Sequence, residues 1–374
     1  MQRLLVLGSG LVGHAIAADL CAEFEVHAAD ADMGTLETVS AAHSVTPIHT
    51  DLSDPHRIAR LVEDFDLVVN ALPGHMGFRA LKSVIESGKN VVDIAFSPED
   101  PLTLNECAEQ AGVTAVVDCG VAPGLCNIIL GYESTRLDRI ESYSCLVGGL
   151  PVEREWPWEY KAGFSPADVI EEYTRPCRMI QRGSQVVLPA LSGLERVEFK
   201  GIGTLEAFNT DGLRTLLKTM EIPNMKEKTL RYPGHVALME ILSKAGFFSK
   251  EALDVNGLDI RPLDVTGAIL FPKWKMRADE ADFTVMRVEI AGEDKGEPVN
   301  RVFELFDQFD WKTRTTSMAR TTGYTCSAAV RVLAEGRISR KGVVPPEHLG
   351  QIPGVFERVL GLLDERGVKL SGDL

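Results

Sequence analysis

Three closely spaced glycines near the N-terminus form the first stretch of this sequence suited to ligand binding. Gly8, Gly10 and Gly13 follow the apolar run "RLLVL" and precede a stretch of helical composition. A Gly-x-Gly-x-x-Gly motif between a strand and a helix permits a tight turn, a close approach of a pyrophosphate and close helix–strand packing. The helix N-terminus offers free N–H groups and a partial positive charge to the phosphates. The predicted dinucleotide-binding loop consists of Gly8, Ser9, Gly10, Leu11, Val12 and Gly13.

A carboxylate at the end of the next predicted strand influences whether the loop binds NAD or NADP. The strand "FEVHAAD" ends in Asp30, and the following "ADMGTLE" contains no arginine or lysine. An acidic residue at this place accepts hydrogen bonds from the adenosine ribose hydroxyls and repels a 2′-phosphate. The sequence therefore predicts NAD as the cofactor, with NADP less favoured. The residues predicted to contact the nicotinamide ribose follow later strands and are Asn70, Ala71, Pro73 and Ala95.

Residues 1–122 alternate short apolar runs with stretches of helical composition. Strands are predicted in "RLLVLG", "FEVHAAD", "DLVVNALP", "NVVDIAF" and "TAVVDCG". Helices are predicted near residues 11–22, 34–43, 54–64, 77–87 and 101–111. This alternation is typical of an α/β protein with a doubly wound parallel sheet, in which ligands bind beyond the carboxyl ends of the strands. We therefore predict a Rossmann dinucleotide-binding domain over residues 1–122.

The pattern changes after the Pro- and Gly-containing turn "GVAPGL". Longer, partly alternating runs such as "IESYSCLVGGLP" and "ADFTVMRVEIAGE" predict a mixed or antiparallel sheet with one covered face. We assign residues 123–320 to a second α/β domain that binds substrate, and we expect an exposed strand of its sheet to pair two copies into a homodimer. Residues 321–374 form a C-terminal segment that can fold back onto the Rossmann domain.

The amino-acid composition disfavours several classes of binding partner. The 374 residues carry a formal net charge of −15, which disfavours nucleic acid and anionic membranes because both attract basic surfaces. Seven scattered cysteines form no C-x-x-C pair, and the eight histidines show no metal-binding spacing, so no metal site is predicted. With no signal peptide or apolar run long enough to span a membrane, we predict a cytoplasmic protein that acts on a small molecule.

Several segments resemble the saccharopine dehydrogenase family, and they recur in order along nearly the whole chain. They are "VVNALPG", "VVDIAFSPED", "CGVAPGL", "YSCLVGGLP", "EYKAGFSP", "TLRYPGH" and "ARTTGY". The resemblance implies a Rossmann domain, a second α/β domain and an active site in the cleft between them. It also implies oxidation or reduction of a carbon–nitrogen bond with a nicotinamide cofactor.

Within this family the chain is most similar to the shorter lysine 6-dehydrogenases, which its compact length and Asp30 fit. That similarity implies oxidation of the ε-amine of L-lysine to allysine with release of ammonia. The product would cyclise to piperideine-6-carboxylate. The substrate implied by the resemblance is thus a small amino acid.

Amine oxidation by hydride transfer needs a neutral amine, so a base must take its proton or the cleft must lower its pKa. Asp118 ends a predicted strand and is a candidate for this base, or it caps the turn that follows. His235 precedes an apolar helix and is a candidate base or an N-terminal cap of that helix. Lys161 lies among aromatic residues in "WEYKAGFS"; it is a catalytic group, chiefly by the resemblance, or a surface residue over an apolar patch.

The α-carboxylate of an amino-acid substrate is best held by arginine in a two-pronged contact. Arg231 and Arg320 are candidates because each lies in a short glycine-containing stretch, although an ordinary salt bridge explains either equally well. Thr322 and Tyr324 could add hydroxyl groups, or they pack in a loop. Asp93 is a further polar candidate for substrate binding inside an apolar strand.

Two alternatives to lysine oxidation stay open at this point. A secondary amine such as saccharopine or carboxynorspermidine would need a second carboxylate partner, and the chain has spare arginines at 154, 175, 178 and 182. A non-catalytic NAD-binding regulatory protein would keep the fold without the chemistry, because fold does not determine function.

Overall fold

The structure, a computed structural model, describes residues 1–277 and 280–373 of the chain. Its first sheet contains β1 (Arg3–Leu7), β2 (Glu25–Asp30), β3 (Val45–His49), β4 (Leu67–Asn70), β5 (Asn90–Asp93) and β6 (Thr114–Val116). These strands are parallel and lie in the order β6, β5, β4, β1, β2, β3. The order reverses at β1, as in doubly wound sheets. The predicted α/β fold is confirmed.

The helices of this region are α1 (Leu11–Leu20), α2 (Met33–Ala42), α3 (Pro55–Val62), α4 (Gly74–Glu86) and α5 (Asn105–Gln110), with a 3₁₀ turn at Pro101–Leu104. Asp54 caps α3 by accepting a hydrogen bond from the His56 N–H at 2.9 Å. Strand β3 was not predicted from the sequence. Val45 is its one fully buried residue, and Pro47 interrupts its pattern, both of which suit the edge of a sheet.

The second sheet is mixed, as the sequence predicts. After α6 (Leu125–Ser134), the chain forms β7 (Arg139–Pro151), α7 (Pro166–Thr174), β8 (Cys177–Gln181), β9 (Ser184–Leu188), β10 (Glu195–Phe199) and β11 (Gly203–Asn209). It continues through α8 (Leu216–Thr219), β12 (Asn224–Arg231), α9 (His235–Lys244), a separate hairpin β13 (Leu253–Val255) and β14 (Leu258–Ile260), α10 (Pro262–Trp274), β15 (Asp282–Asp294) and β16 (Glu297–Gln308). β12 is parallel to β7, whereas β7, β15 and β16 are antiparallel.

The C-terminal part of the chain joins both sheets. It comprises α11 (Ser317–Ala334), β17 (Gly342–Val344), α12 (Pro346–Gln351), α13 (Val355–Asp364) and β18 (Leu370–Gly372). β17 extends the first sheet as a parallel neighbour of β6, and β18 pairs with β16 in the second. Helix α11 runs unbroken through the predicted domain boundary at residue 320, and it contains Thr322 and Tyr324, for which packing in a loop was the alternative expectation. That expectation was wrong because the turn-like "RTTG" lies inside a helix whose buried face continues past it.

The first sheet is covered on both faces, which is why its strands read as continuous apolar runs. Leu4 and Val6 of β1 face one apolar core, and Leu5 and Leu7 face another. The core on the Leu4 side continues into α11 and the second sheet, so the two sheets share packing. Within the described residues, no helix combines the length and apolar character needed to cross a membrane.

Candidate active site

A cleft of about 1010 Å³ lies between the carboxyl ends of the first sheet and the inner side of the second sheet. One end is lined by the glycine loop and by Asp30, Ala71 and Pro73. The other end is lined by charged and polar side chains of the second domain, among them Lys161, Asp168, Glu172, Glu227, Thr229 and Arg231. A nucleotide-binding loop and a set of ionisable groups therefore share one cavity.

The glycine loop has the shape that a dinucleotide needs. Gly8 has a φ of +95°, and an added Cβ would lie 2.7 Å from the Ala71 carbonyl oxygen. An added Cβ at Gly13 would overlap the Gly8 carbonyl. At Gly10 it would meet no protein atom within 4 Å, so the space beside Gly10 is open cleft. Helix α1 starts there without a side-chain cap, which leaves its first N–H groups free for phosphate oxygens.

Asp30 lies beside this loop and lines the cleft. Its carboxylate accepts hydrogen bonds from the Ser9 N–H at 2.6 Å and the Asp32 N–H at 2.9 Å. These contacts hold the carboxylate at the end of β2, where a ribose would meet it. Gly8, Gly10, Leu11, Val12 and Gly13 line the cleft with it, whereas Ser9 contributes its backbone to Asp30.

Of the residues predicted to contact the nicotinamide ribose, Ala71 and Pro73 line the cleft, and Asn70 and Ala95 do not. Asn70 is buried, and its Nδ2 donates to Asp93 Oδ1 at 2.6 Å and to the Gly77 carbonyl at 3.0 Å. Asp93 also lies behind the cleft wall instead of facing substrate, and burial raises the pKa of its carboxyl well above the ordinary value. This pair braces the ends of two neighbouring strands.

Asp118 is likewise outside the cleft lining. Its two carboxylate oxygens each accept from Arg214 Nε at 3.0 Å, and Arg214 Nη2 lies 2.9 Å from Oδ1. Both side chains are almost completely buried. The predicted strand-end carboxylate therefore forms an internal ion pair, because an arginine remote in sequence reaches it from the second domain.

Lys161 is the one predicted catalytic residue that lines the cleft. Its side chain is 8% exposed, and Nζ lies 3.0 Å from Glu280 Oε1 and 3.3 Å from Glu155 Oε2. It is therefore not a surface residue, and its ammonium group is balanced by carboxylates.

Arg231 also lines the cleft, at the end of β12. Its Nη2 donates to Glu172 Oε2 at 2.6 Å, and its guanidinium lies 4.5 Å from the centre of the Tyr160 ring. Its Nη1 donates to the Leu230 carbonyl at 2.9 Å. Because each Nη atom carries two N–H groups, two donors remain for a ligand.

His235 does not line the cleft, and both of its ring nitrogens are engaged. Nδ1 lies 2.8 Å from the Trp158 carbonyl, which can only accept, so Nδ1 carries the proton. Nε2, 2.9 Å away, then accepts from the Tyr173 hydroxyl, whose oxygen accepts from Arg231 Nε at 3.3 Å. Burial, aided by Arg231, lowers the pKa of His235 to about 3. This neutral histidine orients Tyr173; it neither faces substrate nor caps α9, whose N-cap is Gly234.

The three substrate-binding residues predicted in "ARTTGY" lie on different faces of α11. Thr322 lines the cleft, whereas Arg320 and Tyr324 do not. Arg320 Nη2 lies 3.1 Å from Asp307 Oδ1, and Nη1 lies 3.3 Å from Asp310 Oδ2. Arg320 therefore forms internal salt bridges, which was the alternative role predicted for it from the sequence. Because Arg320 and Thr322 are two residues apart on a helix, their side chains point in different directions.

Among the carboxyl groups of the cleft that were not predicted from the sequence are Asp168, Glu172 and Glu227. Burial raises the pKa of each of them. Asp168 accepts from the Gly74 N–H at 3.2 Å and so links α7 to the first domain. The spacing of Asp168 and Glu172 on a helix, and of Glu227 and Arg231 on a strand, was the available signal, since both spacings place side chains on one face.

Two family models match the chain. One, described as the saccharopine dehydrogenase NADP binding domain, matches residues 4–116. The other, described as the saccharopine dehydrogenase C-terminal domain, matches residues 120–368. This chain belongs to the saccharopine dehydrogenase family. The predicted family is thus confirmed.

Curated relatives of this saccharopine dehydrogenase family member are distant in sequence. An alpha-aminoadipic semialdehyde synthase of Arabidopsis thaliana is 26% identical over 59% of this chain and 22% of its own length. A saccharopine dehydrogenase (NADP(+), L-glutamate-forming) of Schizosaccharomyces pombe is 22% identical over 100% of this chain and 99% of its own length. The chain spans 22%, 30% and 59% of the length of three of its curated relatives.

Among solved structures, the chain has the fold of a saccharopine dehydrogenase (L-Glu forming) from Saccharomyces cerevisiae. The TM-score is 0.79 at 19% sequence identity, and the match covers 100% of both chains. The two-sheet architecture described above is therefore that of the family.

Proposed function

We propose that this chain is a nicotinamide-dependent dehydrogenase that oxidises a carbon–nitrogen bond of an amino-acid amine. The observation that carries this proposal is the shared cleft, which joins the glycine loop to Arg231, Lys161 and a set of carboxyl groups. The membership of the saccharopine dehydrogenase family supports the same class of reaction.

Different residues of the cleft would carry out different steps of such a reaction. A bound nicotinamide supplies the hydride acceptor for the carbon next to the nitrogen. Arg231 presents its two remaining N–H donors to a substrate carboxylate. Lys161, held between Glu155 and Glu280, is the predicted catalytic group that faces the cleft, and we assign proton exchange with the substrate to it.

Saccharopine is the first substrate to test, because two relatives that match 67% and 100% of this chain are named saccharopine dehydrogenases. Oxidation of this secondary amine followed by hydrolysis of the imine would release glutamate. The ε-amine of L-lysine is the second candidate, with ammonia as the product. It is favoured because the described residues that line the cleft include one arginine, Arg231, together with the buried carboxyls Glu172 and Glu227. A cationic amine suits that wall better than further carboxylates do.

For the cofactor, the contacts of Asp30 support NAD, whereas the family model and the relatives are named for NADP. We propose NAD, because a carboxylate fixed beside the ribose position repels a 2′-phosphate. The homodimer and the cytoplasmic location stay predictions, and sedimentation of the purified protein measures the first.

The experiment that tests the proposal follows formation of the reduced nicotinamide with each combination of NAD or NADP and saccharopine, carboxynorspermidine or L-lysine. Turnover of saccharopine with release of glutamate would establish the first candidate. Turnover of lysine with release of ammonia would establish the second. Binding of NAD without oxidation of any of these amines would overturn the proposal in favour of a regulatory NAD-binding protein.

A further inference from the structure

Strand β12 presents a row of polar side chains to the substrate end of the cleft. Glu227, Thr229 and Arg231 alternate along the strand and all line the cleft. Residues two apart on a strand face the same side, about 6.6 Å from one another. The Thr229 hydroxyl donates to the Thr210 hydroxyl at 3.0 Å, and Arg231 pairs with Glu172. Within the part of the chain that the structure describes, the Glu227 carboxylate is the member of the row without a hydrogen-bond or ion-pair partner.

Glu227 is 5% exposed, and no group among residues 1–277 and 280–373 donates a hydrogen bond to its carboxylate. Two arginines of the second domain form ion pairs with other carboxylates: Arg214 with Asp118, and Arg231 with Glu172. Burial raises the pKa of the Glu227 carboxyl well above its ordinary value. A buried carboxylate with no donor is costly, and a cation that enters beside it removes that cost.

The position of the Glu227 side chain depends on a glycine in the opposing segment. A Cβ added to Gly212 would overlap the Glu227 carboxylate, and Gly212 also lines the cleft. The absence of a side chain at this position therefore leaves space for the carboxylate against the cleft.

We propose that Glu227 binds the cationic nitrogen of the substrate while Arg231 binds its carboxylate. The proposal rests on the proposed function and names the substrate class for the same cleft. Glu227 and Arg231 are four residue steps apart on the strand, which places their Cα atoms about 13 Å from each other. A linear amino acid with a carboxylate at one end and a cationic nitrogen towards the other matches this spacing.

Calorimetry tests this assignment without requiring turnover. The protein saturated with reduced nicotinamide cofactor is titrated with L-lysine and with L-norleucine, which has the same carbon chain but no ε-nitrogen. The wild-type protein should bind lysine about tenfold or more tightly than norleucine, since a charge-assisted hydrogen bond contributes that much. Glu227→Gln, which keeps the side-chain shape and removes the charge, should abolish this preference.

Gly212→Ala should weaken lysine binding in the same way, because its Cβ displaces the carboxylate. Asp168→Asn is the matched control: it removes another cleft carboxylate and should retain the preference for lysine. Equal binding of the two ligands by the wild-type protein, no binding of lysine, or an unchanged preference in Glu227→Gln would each overturn the assignment. Failure of the proposed function has a different signature, namely no oxidation of any amine by the wild-type protein.

Discussion

The Asp118 carboxylate and the Arg214 guanidinium face each other behind the cleft, with Arg214 Nε 3.0 Å from both carboxylate oxygens. Asp118 follows the last strand of the first domain before the boundary, and Arg214 belongs to the second domain. Their pairing therefore fixes the two domains against each other in the interior. Arg214 Nη1 also donates to the Ser97 carbonyl, which adds a second tie.

Removing one partner should destabilise the protein strongly. Asp118→Asn or Arg214→Gln leaves the other charge buried and uncompensated, which costs about 3–5 kcal/mol of the free energy of unfolding. The double variant should lose less than the sum of the two single losses. Urea denaturation measures all three. An Asp118→Asn protein that unfolds like the wild type but has lost turnover would instead support Asp118 as the catalytic base.

Two glycines of the cofactor loop should respond differently to alanine. Gly10→Ala adds a Cβ that meets no protein atom, so the fold should be unaffected while the pyrophosphate loses its place. Gly13→Ala adds a Cβ that overlaps the Gly8 carbonyl, so both stability and cofactor binding should fall. Thermal unfolding with and without NAD separates these effects. Undiminished NAD binding by Gly10→Ala would place the cofactor elsewhere.

Asp30 should select against the 2′-phosphate. Asp30→Asn removes the charge but keeps an oxygen acceptor for the Ser9 N–H. We expect the ratio of kcat/KM for NADP to that for NAD to rise about tenfold or more. Asp32→Asn is the control, because Asp32 caps α2 outside the cleft lining. An equal change in both variants would show that the Asp30 charge has no specific role.

Substitution of the two arginines predicted to bind the substrate carboxylate should have different effects on KM. Arg231→Gln should raise KM for the amino-acid substrate about 10- to 100-fold, because it removes charge-assisted donors from the cleft. Arg320→Gln should leave KM unchanged and lower the free energy of unfolding, because it breaks the buried pair with Asp307. Steady-state kinetics and urea denaturation of both variants test this. A raised KM in Arg320→Gln would contradict the placement of its side chain.

His235 should make the protein acid-sensitive. Its pKa is lowered from 6.5 to about 3 by burial and by Arg231, so between these values the unfolded chain binds a proton and the native protein does not. The free energy of unfolding therefore falls as pH falls, at about 1.4 kcal/mol per pH unit for this group.

His235→Gln, which has no such group to titrate, should lack this contribution. Urea denaturation at pH 7 and pH 5 should show the wild type losing about 2 kcal/mol more than the variant over that interval. Equal losses in the two proteins would mean that His235 is already exposed to solvent or protonated in the native state.

The amino-acid sequence by itself determines the parallel sheet and the glycine loop. Apolar strands, capped helices and glycines with a required conformation are local properties, and they identify β1, α1 and the cleft end that holds Asp30. The two edge strands of this sheet could not be predicted from local sequence patterns. β3 is half-exposed and contains Pro47, and β17 is a three-residue strand from a distant part of the chain.

Tertiary structure alone decides which ionisable side chains reach the cleft. Asp118 and Arg320 do not line the cleft because they form ion pairs with Arg214 and Asp307. His235 does not line it because its ring is hydrogen-bonded to Tyr173 and to the Trp158 carbonyl. All these contacts join separate elements of the fold. Glu227 reaches the cleft because β12 lies beside β7, facing the Rossmann strand ends. The physical reason is that a charged side chain turns toward whichever partner or cavity the packing of remote elements places within reach, and spacing along the chain does not encode that choice.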